Sequence, residues 1–246
     1  MYEMAKSSDE MPRSKSEYVA QRLLDRIITD NLASGSYLGT EAELLQQFNV
    51  SRPTLRESLR ILETQGVIEL RPGPGGGIMI TRPGTDIVAH GLSVYLRVHG
   101  IPDTTMHRAL IALQPALIAQ AAEMGSADDF DALDAVVEKM RLTSDLRELR
   151  QELRHFYLLI ARATQNQILD IFWSTLDKLS GGPASTLEGE KITAAGRQRI
   201  VALHGEMVSA CRAKDPSTAS ALLNALLSAP SPSQTQSRRR QARSEA

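Results

Sequence analysis

The sequence predicts a mainly α-helical protein in two parts: an N-terminal winged helix-turn-helix with a small β-hairpin wing, then an all-α helical bundle. Three observations carry this expectation. Residues 40–66 hold two short helical patterns separated by a tight-turn signal. A glycine-rich run between two short apolar stretches follows directly. Beyond residue 85 apolar residues recur at helical spacing, without the strict alternation of a half-buried strand.

In chain order, residues 1–13 are polar and read as a flexible N-terminus. From Ser16 to about Asn31, Val19, Leu23, Leu24, Ile27 and Ile28 repeat at helical spacing, and Gly35 and Gly39 punctuate a turn. Thr40 with Glu43 fits a capping box, which starts a helix at Glu41 with Leu44 and Leu45 turned inward. Phe48-Asn49-Val50 reads as a turn, because Asn tolerates the left-handed conformation such a reversal needs. Ser51 caps a second helix, Pro53 is tolerated in its first turn, and Leu55, Leu59 and Leu62 form its buried stripe. Gly66 ends it. Residues 67–70 and 78–80 then flank the run from Arg71 to Gly77 as the strands of the wing.

This gives a first domain over 14–82, a hinge over 83–90 around Pro83-Gly84, and a helical domain over 91–228. Breaks in the helical domain are expected at Gly100 to Pro102, Gly125-Ser126, Gly181 to Pro183 and Asp215-Pro216. Residues 229–246, rich in Ser, Pro, Gln and Arg, read as a disordered basic tail.

Two short helices joined by a tight turn place the start of the second in a DNA major groove. The exposed residues there are Arg52, Thr54 and Arg56, and the two arginines share a face. An arginine fork can bond guanine O6 and N7 together. Ser51 and the amides of the helix start can hold a phosphate. In the wing, Arg71 with Gly75, Gly76 and Gly77 lets backbone lie close to a phosphate or the minor-groove edge. Two arginines alone would read as a solvated face paired with Glu57 or Glu63; the order of cap, turn, arginines, Gly66 and wing favours double-stranded operator DNA as partner. A nucleotide-phosphate loop does not fit, because the glycine run lacks the Gly-Lys-Ser/Thr ending and a following helix.

Composition excludes several other classes. The net charge is -1 and aromatics are 4%, too few for a base-stacking platform. Cys211 is the single cysteine, so no intrachain disulfide or cysteine-based zinc site can form. With no membrane-length apolar run and no signal-peptide core, the cytoplasm is the expected compartment. Asp128, Asp129, Asp131 and Asp134 lack the spacing of a calcium loop and read as complements to a helix start. Cys211 and His204 are two helical turns apart, too far for a nucleophile–base pair, and no enzyme is expected.

These residues resemble the GntR family of bacterial regulators. The resemblance runs through Glu41, Val50-Ser51-Arg52, Arg56-Glu57-Ser58-Leu59, Leu62-Glu63, Gly66-Val67 and the wing glycines, over about residues 16–82. The later chain resembles the helical effector domain of the FadR-like branch through Tyr95-Leu96-Arg97 to Ala122, Phe156 to Asn166 and His204 to Ala219. The resemblance implies a homodimeric transcription regulator, expected to be a repressor, with one winged domain on each half of a palindrome. It also implies Arg52, Thr54 and Arg56 as base contacts. The family's further base-reading arginine, directly after the glutamate, is Ala42 here, which implies a different operator or weaker binding.

Many FadR-like effector domains hold a divalent metal through one Asp and three His. With Asn166 as anchor, those positions fall on Leu153, Tyr157, His204 and Leu226, and the family's acid-gripping Arg and Glu fall on Leu110 and Gln114. No metal and no cofactor is therefore expected. Leu110, Gln114, Leu153, Tyr157, His204 and Leu226 are instead the candidates for an effector pocket taking an apolar or amphipathic molecule, such as a fatty acyl derivative. The alternative is a leucine-filled, ligand-free domain that only dimerises. His90, His99, His107 and His155 read as ordinary surface or core residues.

Overall fold

A computed structural model describes residues 14–73, 76–180 and 193–227. The chain divides into two compact units, Met1–Ile87 and Val88–Ala246.

In the first unit, α1 (Lys15–Thr29) is capped by Ser14 and buries Val19, Ala20, Leu23 and Ile27 against α3. Helix α2 (Glu41–Phe48) starts in the expected capping box: Thr40 Oγ1 accepts from the Glu43 amide, and the Glu43 carboxylate accepts from the Thr40 amide. Asn49 then takes the left-handed conformation at φ 49, and its amide donates to the Leu45 carbonyl. Ser51 caps α3 (Arg52–Thr64), and Leu55, Leu59 and Leu62 are buried as expected. Gly66, at φ +67, follows the Gln65 cap.

The expected wing hairpin is present and gains a third strand. Strand β1 (Tyr37–Gly39) joins β2 (Ile68–Arg71) and β3 (Gly77–Ile80) in an antiparallel sheet of order β1-β3-β2. Three residues between two glycines carry no visible alternation, so this edge strand read as part of a turn. Its Leu38 is buried with Ile68, Ile78 and Ile80 in the core under α1 and α3.

Of the hinge expected over 83–90, residues 85–90 are helical: helix α4 (Thr85–Val98) begins directly after Pro83-Gly84. A Pro-Gly pair can precede a helix as well as interrupt one, and Asp86 in the first turn complements the helix dipole.

The second unit contains, among the described residues, α5 (Asp103–Met124), α6 (Ala127–Leu142), α7 (Leu146–Ala163), α8 (Gln167–Ser180), α9 (Ala194–Arg212) and α10 (Pro216–Leu227). Helix α5 packs against α7, α8, α9 and α10, while α6 lies on α7 and α9. The core centres on Leu117, Ile118, Leu133, Met140, Phe156, Ile160 and Trp173. Polar ties pin the ends. Arg212 on α9 bonds Asp131 (2.8 Å) and Asp134 (2.7 Å) on α6, and Lys214 donates to the last carbonyls of α5 at Glu123 (3.1 Å) and Gly125 (2.6 Å). Asp129 completes a capping box with Ser126. The expected breaks near residues 100, 125 and 215 are present; the one at 181–183 lies outside the described residues, as do 1–13 and 228–246. Two further breaks, around Ser144 and Gln165, have no glycine or proline to signal them.

A side chain at Gly66 meets two obstacles: the positive φ, and the Ile87 Cδ1 only 2.4 Å from where a Cβ would sit. Gly66→Ala is expected to destabilise the winged unit by about 1–3 kcal/mol, read as a lowered midpoint in chemical denaturation.

Candidate functional site

The exposed end of α3 gathers the sequence-predicted residues. Arg52 and Arg56 both point to solvent, and Arg60 continues their stripe one turn further, a repeat the sequence reading passed over. The Ser51 hydroxyl lies 2.8 Å from the Thr54 hydroxyl and accepts from the Thr54 amide at 3.3 Å. Ser58 is fully buried and donates to the Thr54 carbonyl at 2.8 Å, so Thr54 is held from both sides.

Arg56 has an acidic partner, but neither Glu57 nor Glu63. Its Nε donates to Glu41 Oε1 at 2.9 Å and its Nη2 to Glu41 Oε2 at 3.5 Å, across from α3 to the first turn of α2. Sequence spacing cannot show this pair, because the helix-turn-helix reversal brings the two residues together. Glu63 instead accepts from the Leu70 amide at 3.4 Å.

In the wing, Arg71 pairs with Glu69 at 2.9 Å and stays exposed. Gly76 and Gly77 have structural reasons to lack a side chain: a Cβ on Gly76 would lie 2.2 Å from the Arg71 carbonyl oxygen, and one on Gly77 would lie 2.4 Å from the Tyr37 ring. Gly75 lies outside the described residues.

In the helical unit, Leu110, Leu153 and Tyr157 belong to one core, and Gln114 and His204 are its buried polar companions. Leu226 sits half-buried on α10 and is not packed into that core. The sequence reading missed the aromatic side chains that complete the cluster. The His204 ring stands edge-on to Phe156 at 4.8 Å and to Tyr157 at 5.8 Å, and Tyr157 lies 5.6 Å from Trp173. Their shared direction emerges only when α7, α8 and α9 pack together. Next to them, Arg154 Nε donates to the buried Asp177 at 2.7 Å, while burial raises the Asp177 pKa and the Arg154 hydrogen bond opposes that rise.

His204 Nδ1 lies 2.7 Å from the Ile200 carbonyl and must donate to it. That fixes the neutral tautomer, with Nε2 as a buried acceptor that has no partner among the described residues. Desolvation lowers its pKa to about 4. A divalent metal does not fit: with leucine at two of the family's four ligand positions and tyrosine at a third, His204 is the one imidazole left. Among the described residues, no group of three or more His, Cys, Asp or Glu is arranged to hold a metal. A separate open groove of about 770 Å³ runs between α6, α9 and α10, lined by Asp134, Glu138, Arg141, Ser209, Asp215 and Leu222; none of the six pocket candidates lines it. Cys211 is buried, and desolvation pushes its thiol up to about 11, which suits a core residue rather than a nucleophile. His99 stacks on Tyr95 at the surface, and His155 lies 3.8 Å from Glu152.

Comparison with known proteins accounts for both units. Residues 15–78 match the model of the bacterial regulatory proteins of the gntR family, and residues 105–229, half of the chain, match the FCD domain. The chain belongs to the GntR family, as a transcription regulator carrying a DNA-binding domain and an FCD effector domain, and is not an enzyme. It is 29% identical to an uncharacterised HTH-type transcriptional regulator, Rv0494, of Mycobacterium tuberculosis, over 87% of this chain and 86% of that protein. It is 26% identical to the HTH-type transcriptional repressor NanR of Cronobacter sakazakii, over 83% of this chain and 79% of the repressor. Its fold is shared with a GntR protein of Streptococcus agalactiae, at a TM-score of 0.65 and 21% identity, covering 86% of this chain and 96% of that one. No helix among the described residues is long and apolar enough to cross a membrane.

The His204 pKa sets a pH dependence. It lies below the ordinary value of 6.5, so the native state binds this proton less readily than the unfolded chain. Stability from the neutral ring is fully present above about pH 6.5 and is lost as pH falls toward 4, at up to about 1.4 kcal/mol per pH unit. Urea titrations of wild type and His204→Leu from pH 7 to 4.5 are expected to show a shallower pH slope in the variant.

Proposed function

We propose that the protein is a homodimeric transcription repressor that reads a palindromic operator in the cytoplasm. Each α3 would enter a major groove, with Ser51 on a phosphate and Arg52, Thr54 and Arg56 on base edges. Arg71 and the wing glycines Gly75, Gly76 and Gly77 would follow the neighbouring backbone. The observation that carries this reading is the capped N-terminus of α3, exposed beside the wing with its arginines outward. Apolar surface supports self-association: Val94, Tyr95 and Val98 on α4 and Ile168 and Phe172 on α8 are each about half or more exposed. In a dimer the two reading helices would meet successive grooves about 34 Å apart.

Control would come from the FCD domain by population shift. An apolar or amphipathic effector among Leu110, Gln114, Leu153, Tyr157 and His204, with Leu226 at the edge, would favour a dimer arrangement that fits the operator less well. Its differential affinity, commonly about 1–3 kcal/mol, would set the loss of DNA binding. The burial of Leu110, Leu153 and Tyr157 in one continuous core favours a second reading, in which the domain dimerises without an effector.

The operator, once found by selection from a random duplex library, tests the first claim. Arg52→Ala and Arg56→Ala are each expected to cost about 1–3 kcal/mol of specific binding with unchanged folding. Parental affinity in both variants would remove α3 from the groove. Thermal shift with medium-chain acyl compounds separates the two readings of the FCD domain. A rise in midpoint that Leu153→Trp abolishes supports the effector; no rise well above micromolar concentration supports the ligand-free domain.

A further inference from the structure

We infer that Glu41 is a positioning residue for base reading, acting through Arg56; this rests on the reading of α3 given above. The guanidinium has two usable edges. Its side edge carries Nε–H and one Nη2–H, and its end edge carries the outer N–H groups of Nη1 and Nη2. The Nε and Nη2 contacts at 2.9 and 3.5 Å place Glu41 on the side edge. The end edge has no hydrogen bond among the described residues, and it can donate to guanine O6 and N7 at once. One arginine is thereby shared between a protein carboxylate and a base.

Glu41 suits this role through its own anchoring. It is the first residue of α2, where the helix dipole favours a carboxylate, and the neighbouring cap is already completed by Thr40 and Glu43. The Glu41 side chain is 34% exposed while that of Arg56 remains 68% exposed. The fixed member is thus the acid, and the accessible member is the arginine. Exposed ion pairs add little to folding stability, so the contact matters through geometry. Ala42 beside it is small and exposed and supplies no competing donor.

The test compares wild type, Glu41→Gln, Glu41→Asp, Arg56→Ala and the Glu41→Gln/Arg56→Ala double variant in the full-length chain. Each is titrated with the selected operator duplex and a scrambled duplex over a range of salt. Glu41→Gln is expected to weaken operator binding roughly tenfold. Affinity for scrambled DNA should hold or rise, because a negative charge beside the phosphates is gone. Glu41→Asp keeps the charge but is one methylene shorter, which draws the carboxylate back from Arg56, and should lose discrimination similarly. The loss should fall on one base pair of each half-site, and Glu41→Gln should add nothing to Arg56→Ala. A structural role alone would weaken both duplexes together, and that result overturns the inference. So does additivity of the two substitutions, or tighter operator binding by Glu41→Gln, which would make Glu41 a competitor of the DNA. If Arg56→Ala itself leaves discrimination intact, the groove assignment fails and this inference fails with it.

Discussion

Helix α3 can present its first turn to a groove only because the chain reverses within a few residues after α2. That reversal rests on Asn49 in the left-handed conformation, which most side chains take only at a cost in strain. The capping box at Thr40 fixes where α2 begins, the Asn49 amide closes its end, and Ser51 starts α3 at once. The register of every later residue follows from these three points. Leu55, Leu59 and Leu62 then face α1 and the sheet, while Arg52, Arg56 and Arg60 face away.

The same reversal decides the electrostatics of the reading surface. It sets the first turn of α2 beside the first turn and a half of α3, so an acid at the start of one reaches an arginine on the other. The wing is closed by sterics in a related way. Gly76 and Gly77 leave room for the Arg71 carbonyl and the Tyr37 ring, so these glycines would be required even if no phosphate ever lay against them. A glycine-rich tip is thus a constraint of the three-stranded sheet first and an approach path for DNA second.

Local chemistry is what the sequence displayed well. The caps at Thr40 and Ser51, the turn at Asn49 and the leucine stripe of α3 act over three or four residues, and they stand in the structure where their spacing put them. Strand β1 was invisible because its stability comes from pairing with β3, a partner some forty residues away. The α6–α7 and α7–α8 breaks are set by Asp145 and Asn166, whose side chains accept backbone amides, and neither residue is rare enough to mark a boundary. The Glu41–Arg56 pair and the Phe156–Tyr157–Trp173–His204 cluster escaped notice for the same reason: both are products of tertiary packing. Leu226 shows the reverse limit. It followed from family spacing, and the packing leaves it outside the core that holds Leu110, Leu153 and Tyr157.

The helical unit keeps polar atoms where an apolar core would be simplest. Gln114 Oε1, Trp173 Nε1, Thr175 Oγ1, Asp177 Oδ1 and His204 Nε2 are all buried without a hydrogen-bond partner among the described residues. Each such atom opposes folding by its desolvation, about 1–3 kcal/mol for a neutral group. Leucine stands at two of the positions where the family resemblance implies metal ligands, yet the interior is not uniformly apolar. With His204 neutral and its Nδ1 already donating, the interior offers an acceptor at Nε2, a donor at the indole and an amide at Gln114. In the effector reading proposed above, a bare hydrocarbon would leave each of these groups unpaired. In that reading, polar matching to these atoms and not volume alone would separate one amphipathic guest from another.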